Sequence, residues 1–373
     1  MKVKNNYNEC ITNFACSIRK YFELDYKHNT LKEVDIILNE YKPQNVVTIL
    51  LDGMGSIIMD KLLDKDVFLM KNRIKTITTV FPATTVAATT SVLTGLNPSE
   101  TGMLGWDMYY KDIDKTITVF LNSEKEDLDR KPLDEAIAYK EKHMITKTIM
   151  KEINEKGKYK GYKIFPFGED AYTSIDEMFK LIEEKCKEEG KKYIYAYDIE
   201  PDHTMHLVGC DKPEIKDIIM DLNNRIEELS KKLTDTVIFV IADHGHYNVE
   251  NLLIKDYPDI EECLLRNTSL EPRATNFFIK PDKKELFVKL FNKHFGNYFD
   301  LYTIEDVIKS KLFGDGKENE ILKDALGDYL AIAKADKTLI HTGSILLKSQ
   351  HAGYKDDEIF IPIIAIKTNK GEL

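Results

Sequence analysis

Short runs of β-branched and other apolar residues recur along the chain, each closed by a polar or glycine-containing turn. They are VVTILLDG at Val46 to Gly53, YIYAYDIE at Tyr193 to Glu200, TVIFVIADHG at Thr236 to Gly245, and IFIPIIAIK near the carboxyl end. Continuous runs of this length read as buried strands. Between them the apolar positions change to helical spacing. SIDEMFKLIEEKCKEEG offers Ser174 as a cap and Gly190 as a stop, and EIKDIIMDLNNRIEELSKKL repeats its apolar positions as an amphipathic helix does. Strands alternating with helices predict an α/β sheet covered on both faces, with functional groups at the carboxyl ends of the strands.

Two stretches break the alternation. Residues 107–142 open with the hairpin-like DMYYKDIDKTITVF and run on into a highly charged segment. Residues 250–336 hold RATNFFIK, an expected helix over Lys283–His294 and the glycine-rich turn FGDGKEN. Both read as insertions over one catalytic domain spanning residues 1–373. No internal repeat or low-complexity segment is present.

Four strand ends or the turns beyond them carry Asp or His. Asp52 follows VVTILL, Asp202 and His206 follow YIYAYDIEP, Asp243 and His244 follow TVIFVIA, and His351 lies in KSQHAGY ahead of the last strand. Singly, each has an ordinary explanation as a turn former or a satisfied polar residue. Together they offer two clusters. Asp202 and His206 share a face if EPDHTMH is helical, and His351 would complete three ligands with an open position, as catalytic sites require. Asp243 and His244, adjacent on a turn, would form the second cluster with Asp52. His203 and His246 flank these residues and read as groups that orient ligands. His28, His143 and His294 read as surface or packing residues, and His341 stays undecided.

The nucleophile candidate comes from FPATTVAATTSVLTGLNPSETG, Phe81 to Gly102. Thr84 or Thr85 is placed to cap a helix of small residues, whose first-turn N–H groups and positive dipole end favour a phosphate oxygen. Composition narrows the partners. A net charge of -10 argues against a nucleic-acid duplex or an anionic membrane. An acidic protein that handles phosphate needs local positive charge, and metal ions are its natural source. Five scattered cysteines read as reduced thiols. The first 20 residues lack a signal-like apolar stretch, and no segment is long enough to span a bilayer, so the expectation is a cytoplasmic protein.

The order and wording of these motifs resemble the alkaline phosphatase superfamily, specifically its nucleotide pyrophosphatase/phosphodiesterase group. The resemblance implies a three-layer α/β sandwich with a central, mostly parallel sheet and cap insertions. It implies two divalent metals, zinc or alternatively manganese: one held by Asp52, Thr85, Asp243 and His244, the other by Asp202, His206 and His351. It implies Thr85 as a covalent nucleophile, because FPATT aligns its second threonine with the family's nucleophile. No CxPSR-like segment is present, which disfavours the sulfatase branch. One departure is Ala88, where the family carries an Asn that supports a phosphoryl oxygen; another is Trp106, where it often has a second polar residue.

The implied activity is hydrolysis of a phosphodiester or pyrophosphate in a small molecule such as a nucleotide, through a phosphothreonine. No Arg or Lys stands inside the nucleophile segment, which favours a diester over a monoester. Phe81, Trp106, Tyr109 and Tyr172 are candidates to stack on the substrate, with core packing as the alternative for each. Competing readings are a phosphonoacetate hydrolase-like enzyme using Arg273 for a carboxylate, a phosphomonoesterase, a phosphomutase and an inactive metal-containing binding protein.

Overall fold

The computed structural model describes residues 3–168, 170–341 and 346–371. The apolar runs assemble into a six-stranded sheet in the order Arg73–Thr78, Phe360–Lys367, Thr236–Ile241, Asn45–Leu51, Lys192–Asp198, Lys160–Ile164. Asn45–Leu51 is central and pairs in parallel with both Lys192–Asp198 and Thr236–Ile241. Phe360–Lys367 is the one strand of this sheet that runs against its neighbours. Every residue of the three central strands is buried, which explains why their sequences are continuously apolar and do not alternate.

Register fixes where the functional residues emerge. Leu51 lies opposite Asp198 and Leu50 opposite Ile241, so Asp52, Asp243 and the segment after Asp198 leave the sheet side by side at its carboxyl edge. Helices cover the faces. Ile175–Lys187 starts where Ser174 accepts the Glu177 N–H, as the sequence suggests, but it ends before Gly190 with Glu188 already extended. Pro213–Lys232 begins with Pro in its first turn and buries Ile215, Ile219, Leu222, Ile226 and Leu229 along one side.

The two interrupting stretches share a second sheet. Seven antiparallel strands run in the order Phe299–Thr303, Tyr329–Ala333, Ala274–Phe277, Ser269–Glu271, Asp107–Tyr110, Lys115–Thr118, Ser123–Glu124. The stretches join where Leu270 pairs with Asp107. Met108, Leu270 and Ile332 of this cap share a core with Phe81, Val86 and Ala352, so the cap packs directly against the nucleophile segment and the loop after His351. The expected helix is Lys284–Phe295, and it buries Phe287, Phe291 and Phe295 at a spacing of four. Among the described residues, no helix is long and apolar enough to cross a membrane.

Candidate active site

The strand ends meet through their backbones before any side chain is considered. Asp52 N–H donates to the Asp198 carbonyl at 3.0 Å, and Asp202 N–H donates to the Asp52 carbonyl at 3.0 Å. Gly53 turns between them at φ +71, where a Cβ would stand 3.0 Å from both Asp202 and His246, so only glycine suits this approach. Gly245 is confined in the same way, because a Cβ there would lie 2.0 Å from the Asp357 carbonyl.

Asp52, Asp243 and His244 form a fully buried group. Their separations from His244 Nε2 are 3.4 Å to Asp52 Oδ1 and 3.5 Å to Asp243 Oδ2. Asp243 Oδ1 accepts the N–H groups of Gly53 and His244, whereas Oδ2 is buried without a hydrogen-bond partner, as is Asp52 Oδ1. Tyr197 donates a short hydrogen bond to the other oxygen of Asp52. Burial and the nearby charges of Asp243 and Asp202 push Asp52 well above the usual carboxylate range; burial raises Asp243 as well. A buried pair of carboxylates with unpaired oxygens facing an imidazole is a donor set suited to a cation.

Thr85 completes this group. It is the first residue of the ten-residue helix Thr85–Thr94, and its hydroxyl lies 3.2 Å from His244 Nε2 and 3.4 Å from Asp52 Oδ2. Thr84 occupies the cap position without capping, since its hydroxyl donates to Glu271 Oε1 at 2.5 Å. The first-turn N–H groups therefore have no side-chain cap, which leaves them free for an anion.

The second group contains Asp202, His206, His246 and His351. Asp202 and His206 sit on the short helix Asp202–Val208, with 3.4 Å between Asp202 Oδ2 and His206 Nε2. His246 Nε2 closes tightly on Asp202 Oδ1. Sequence reading assigned His246 only an orienting role; the structure makes it a full member of the group. The DHGH spacing is the signal that marks it. Burial raises Asp202, but the imidazoles of His206, His246 and His351 outweigh it and hold the carboxyl well below its usual range. Burial, against the pull of Asp202, holds His246 down to about 4, and burial together with His244 holds His351 well below the usual histidine range.

One pattern unites the histidines. His206 Nδ1 donates to the Ser349 carbonyl at 2.8 Å, His351 Nδ1 to the Ala83 carbonyl at 3.1 Å and His244 Nδ1 to the Gly245 carbonyl at 3.1 Å. A carbonyl only accepts, so each ring carries a proton on Nδ1, and this bond turns Nε2 toward the neighbouring ligand atoms. His246 Nδ1 lies 2.9 Å from Ser349 Oγ, which itself donates to the Met205 carbonyl. This is the supporting layer that metal-ligating imidazoles require. The His244 and His351 rings stack at 3.9 Å and place the two groups side by side.

Other sequence candidates fall elsewhere. His203 is exposed and joins neither group. His28 pairs with Glu100, His143 with Glu320 and Asp112, His294 with Asp259, and His341 accepts the Thr268 N–H. Arg273 is buried in a two-bond ion pair with Glu358, whose carboxylate also accepts the Gly353 and Lys355 N–H groups. That guanidinium braces the loop after His351; four of its five N–H groups are committed, to Glu358 and to the Ala335 and Lys337 carbonyls, and the side chain is fully buried. Phe81 is packed against Phe313 and Tyr354; Tyr109 lies under the Arg266 guanidinium. Trp106 is 37% exposed beside Phe120. Tyr172 donates to Asp198 and lines a cavity of about 670 Å³ with Phe167, Ile199 and Glu200, immediately before the Asp202 helix.

The fold and the paired Asp/His groups define a hydrolase of alkaline phosphatase type. Residues 46–352 match the family described as type I phosphodiesterase/nucleotide pyrophosphatase, and the chain belongs to that family. Among solved structures it is similar to murine ectonucleotide pyrophosphatase/phosphodiesterase 5, with a TM-score of 0.65 and 17% identity, covering 87% of this chain and 89% of that one. An inactive threonine-to-alanine variant of the murine protein in complex with AMP gives a TM-score of 0.64 at 17% identity, with coverage of 87% and 88%. The human counterpart gives 0.64 at 17%, with coverage of 86% and 87%. At this identity the likeness is one of fold. No curated protein sequence matches the chain.

Proposed function

We propose that the protein cleaves a phosphodiester or pyrophosphate bond of a small molecule, with Thr85 as the attacking group. The observation that carries this reading is the Thr85 hydroxyl, which stands at a helix N-terminus between His244 and Asp52, whose Oδ1 is buried without a hydrogen-bond partner among the described residues. The donor sets fit two divalent ions: Asp52, Asp243, His244 and Thr85 would hold one, and Asp202, His206, His246 and His351 the other. Oxygen and imidazole donors suit zinc and also admit manganese. When bound, such ions supply positive charge that lowers the pKa of a hydroxyl and neutralises the phosphoryl oxygens.

The chain's own residues do the rest. Tyr197 and the Gly53 N–H orient the carboxylates of Asp52 and Asp243. Thr85 Oγ, after losing its proton to solvent, attacks phosphorus in line, and the bond from phosphorus to the leaving oxygen breaks as that oxygen takes up a proton. Water then attacks from the opposite side and breaks the Oγ–P bond, and Thr85 regains its proton. The first-turn N–H groups of the Thr85 helix hold phosphoryl oxygens. The cavity lined by Tyr172 and Phe167 receives the organic group on phosphorus, a nucleoside being the candidate that the AMP complex of the murine protein brings to mind. A cytoplasmic location belongs to the same proposal and is supported by five cysteines with no disulfide among them.

The test compares bis-p-nitrophenyl phosphate with p-nitrophenyl phosphate after chelation and restoration of zinc or manganese. Faster, metal-dependent diester cleavage is expected, with Thr85→Ala reduced by at least about 10³-fold, the scale of losing a covalent nucleophile. Monoester preference moves the assignment to a phosphatase or mutase, and full activity in Thr85→Ala removes the covalent step.

A further inference from the structure

The cavity that receives the organic group carries charge that the reaction above does not use. It measures about 670 Å³, and Asp198, Glu200, Asp217 and Asp221 stand in its wall, whereas no Lys or Arg among the described residues does. Asp221 is paired with Arg225 at 2.6 Å. The other three have no Lys or Arg partner among the described residues. Asp198 accepts the Tyr172 hydroxyl at 2.7 Å and the Glu200 N–H at 2.9 Å, and Glu200 accepts the Thr204 hydroxyl at 2.9 Å. Asp217, exposed on the helix Pro213–Lys232, has neither a hydrogen bond nor an ion pair among the described residues.

The wall of this cavity is continuous with the ligand groups. The Asp198 carbonyl accepts the Asp52 N–H at 3.0 Å, and Glu200 stands two residues before Asp202. The Phe167 ring lies 6.4 Å from that of Tyr197, whose hydroxyl donates to Asp52. Phe167 is itself 60% exposed, and Tyr172 lines the same cavity. Carboxylates without a cation disfavour a second phosphate there, and an uncharged nucleoside gains nothing from them. An open aromatic face beside such carboxylates suits an alkylammonium group, which the ring quadrupole and the negative charges both attract. We infer that the organic group on phosphorus is an alcohol bearing an ammonium or quaternary ammonium charge, which makes the substrate a zwitterionic phosphodiester. Its phosphate meets Thr85, and its cation rests against Phe167, Asp198, Glu200 and Asp217.

This inference rests on the phosphodiesterase reading, and its test separates the two. The metal-loaded protein is given p-nitrophenyl phosphorylcholine and p-nitrophenyl dimethylbutyl phosphate, in which carbon replaces the nitrogen, so that the esters share a shape and differ by one charge. In both, attack by Thr85 breaks the bond from phosphorus to the aryl oxygen and releases p-nitrophenolate; water then frees phosphorylcholine or dimethylbutyl phosphate. The expected kcat/KM favours the choline ester by at least about tenfold, and the preference shrinks at high salt. The ratio falls toward unity in Glu200→Gln/Asp217→Asn and in Phe167→Ala; Asp217 and Phe167 are exposed, so their replacement spares the fold. Equal rates for the two esters, or an unchanged ratio in the variants, overturn the inference and leave the phosphodiesterase reading standing. Faster cleavage of the p-nitrophenyl ester of thymidine monophosphate does the same and returns the cavity to a nucleoside. A second arm needs no turnover: in calorimetry, phosphorylcholine binds about tenfold tighter than dimethylbutyl phosphate, and the difference is lost in Glu200→Gln/Asp217→Asn. Equal affinities overturn the inference even in an active enzyme. A charge preference in a protein that cleaves no diester upholds it and sinks the phosphodiesterase reading instead.

Discussion

The two ligand groups lie side by side but are built on different principles. Asp52, Asp243 and His244 are fully buried, rich in oxygen and mounted on the ends of two adjacent central strands. Asp202, His206, His246 and His351 are rich in nitrogen, partly open at Asp202 and His206, and carried by a short helix and two loops. The first group is fixed by sheet register, so Thr85 meets a rigid surface. The second depends on outside support, from Ser349, Ala83 and the Arg273–Glu358 pair that braces the loop following His351. Rigidity where the nucleophile is held, and adjustable support where the second ion would sit, is the division of labour this contrast suggests.

The comparison breaks most visibly if the groups lose their ions independently. Asp243→Asn should lose the metal of the buried group and His351→Ala that of the open group, each lowering metal content by one equivalent in elemental analysis; loss of both in either variant would show one cooperative site. A smaller effect is expected from Ser349→Ala, which frees the His246 ring. It should weaken the open group alone by about 10–100-fold in a chelator competition, the scale for removing a ligand's supporting hydrogen bond. An equal weakening of both groups would show that the support is shared.

The smallest effect concerns stability and Glu271. Its folded pKa of about 8 lies above the unfolded value, so between the two the folded state holds a proton that the unfolded chain has lost. The stabilisation is complete below the unfolded value and declines as pH rises to about 8. Wild-type melting temperature should therefore fall across this window more steeply than that of Glu271→Gln, by a few degrees in calorimetry. Parallel curves would show that the carboxyl ionises freely.

Much of the site was legible because its residues follow strands whose apolar runs announce themselves. Asp52 after VVTILL and Asp243-His244 after TVIFVIA are placed at the sheet edge by the sequence pattern alone. The spacing of four put Asp202 and His206 on one face if their segment were helical, and the structure makes it the helix Asp202–Val208. Glu271 was not legible, since a single Glu before Pro-Arg in a cap strand carries no periodic signal. Nor was Tyr197 against Asp52, which needs the pairing of two parallel strands 145 residues apart in sequence.

By itself, then, the sequence determined the strands, the main helices and the chemical types available at the sheet edge, because local periodicity and turn chemistry act over a few residues. Only the tertiary structure decided that the stretches beginning at 107 and 250 become one seven-stranded cap sheet, that His246 joins the open group, and that Arg273 braces a loop and does not face a substrate. These outcomes depend on pairings between distant segments, whose energy comes from burial and from satisfied hydrogen bonds that no local window of residues contains.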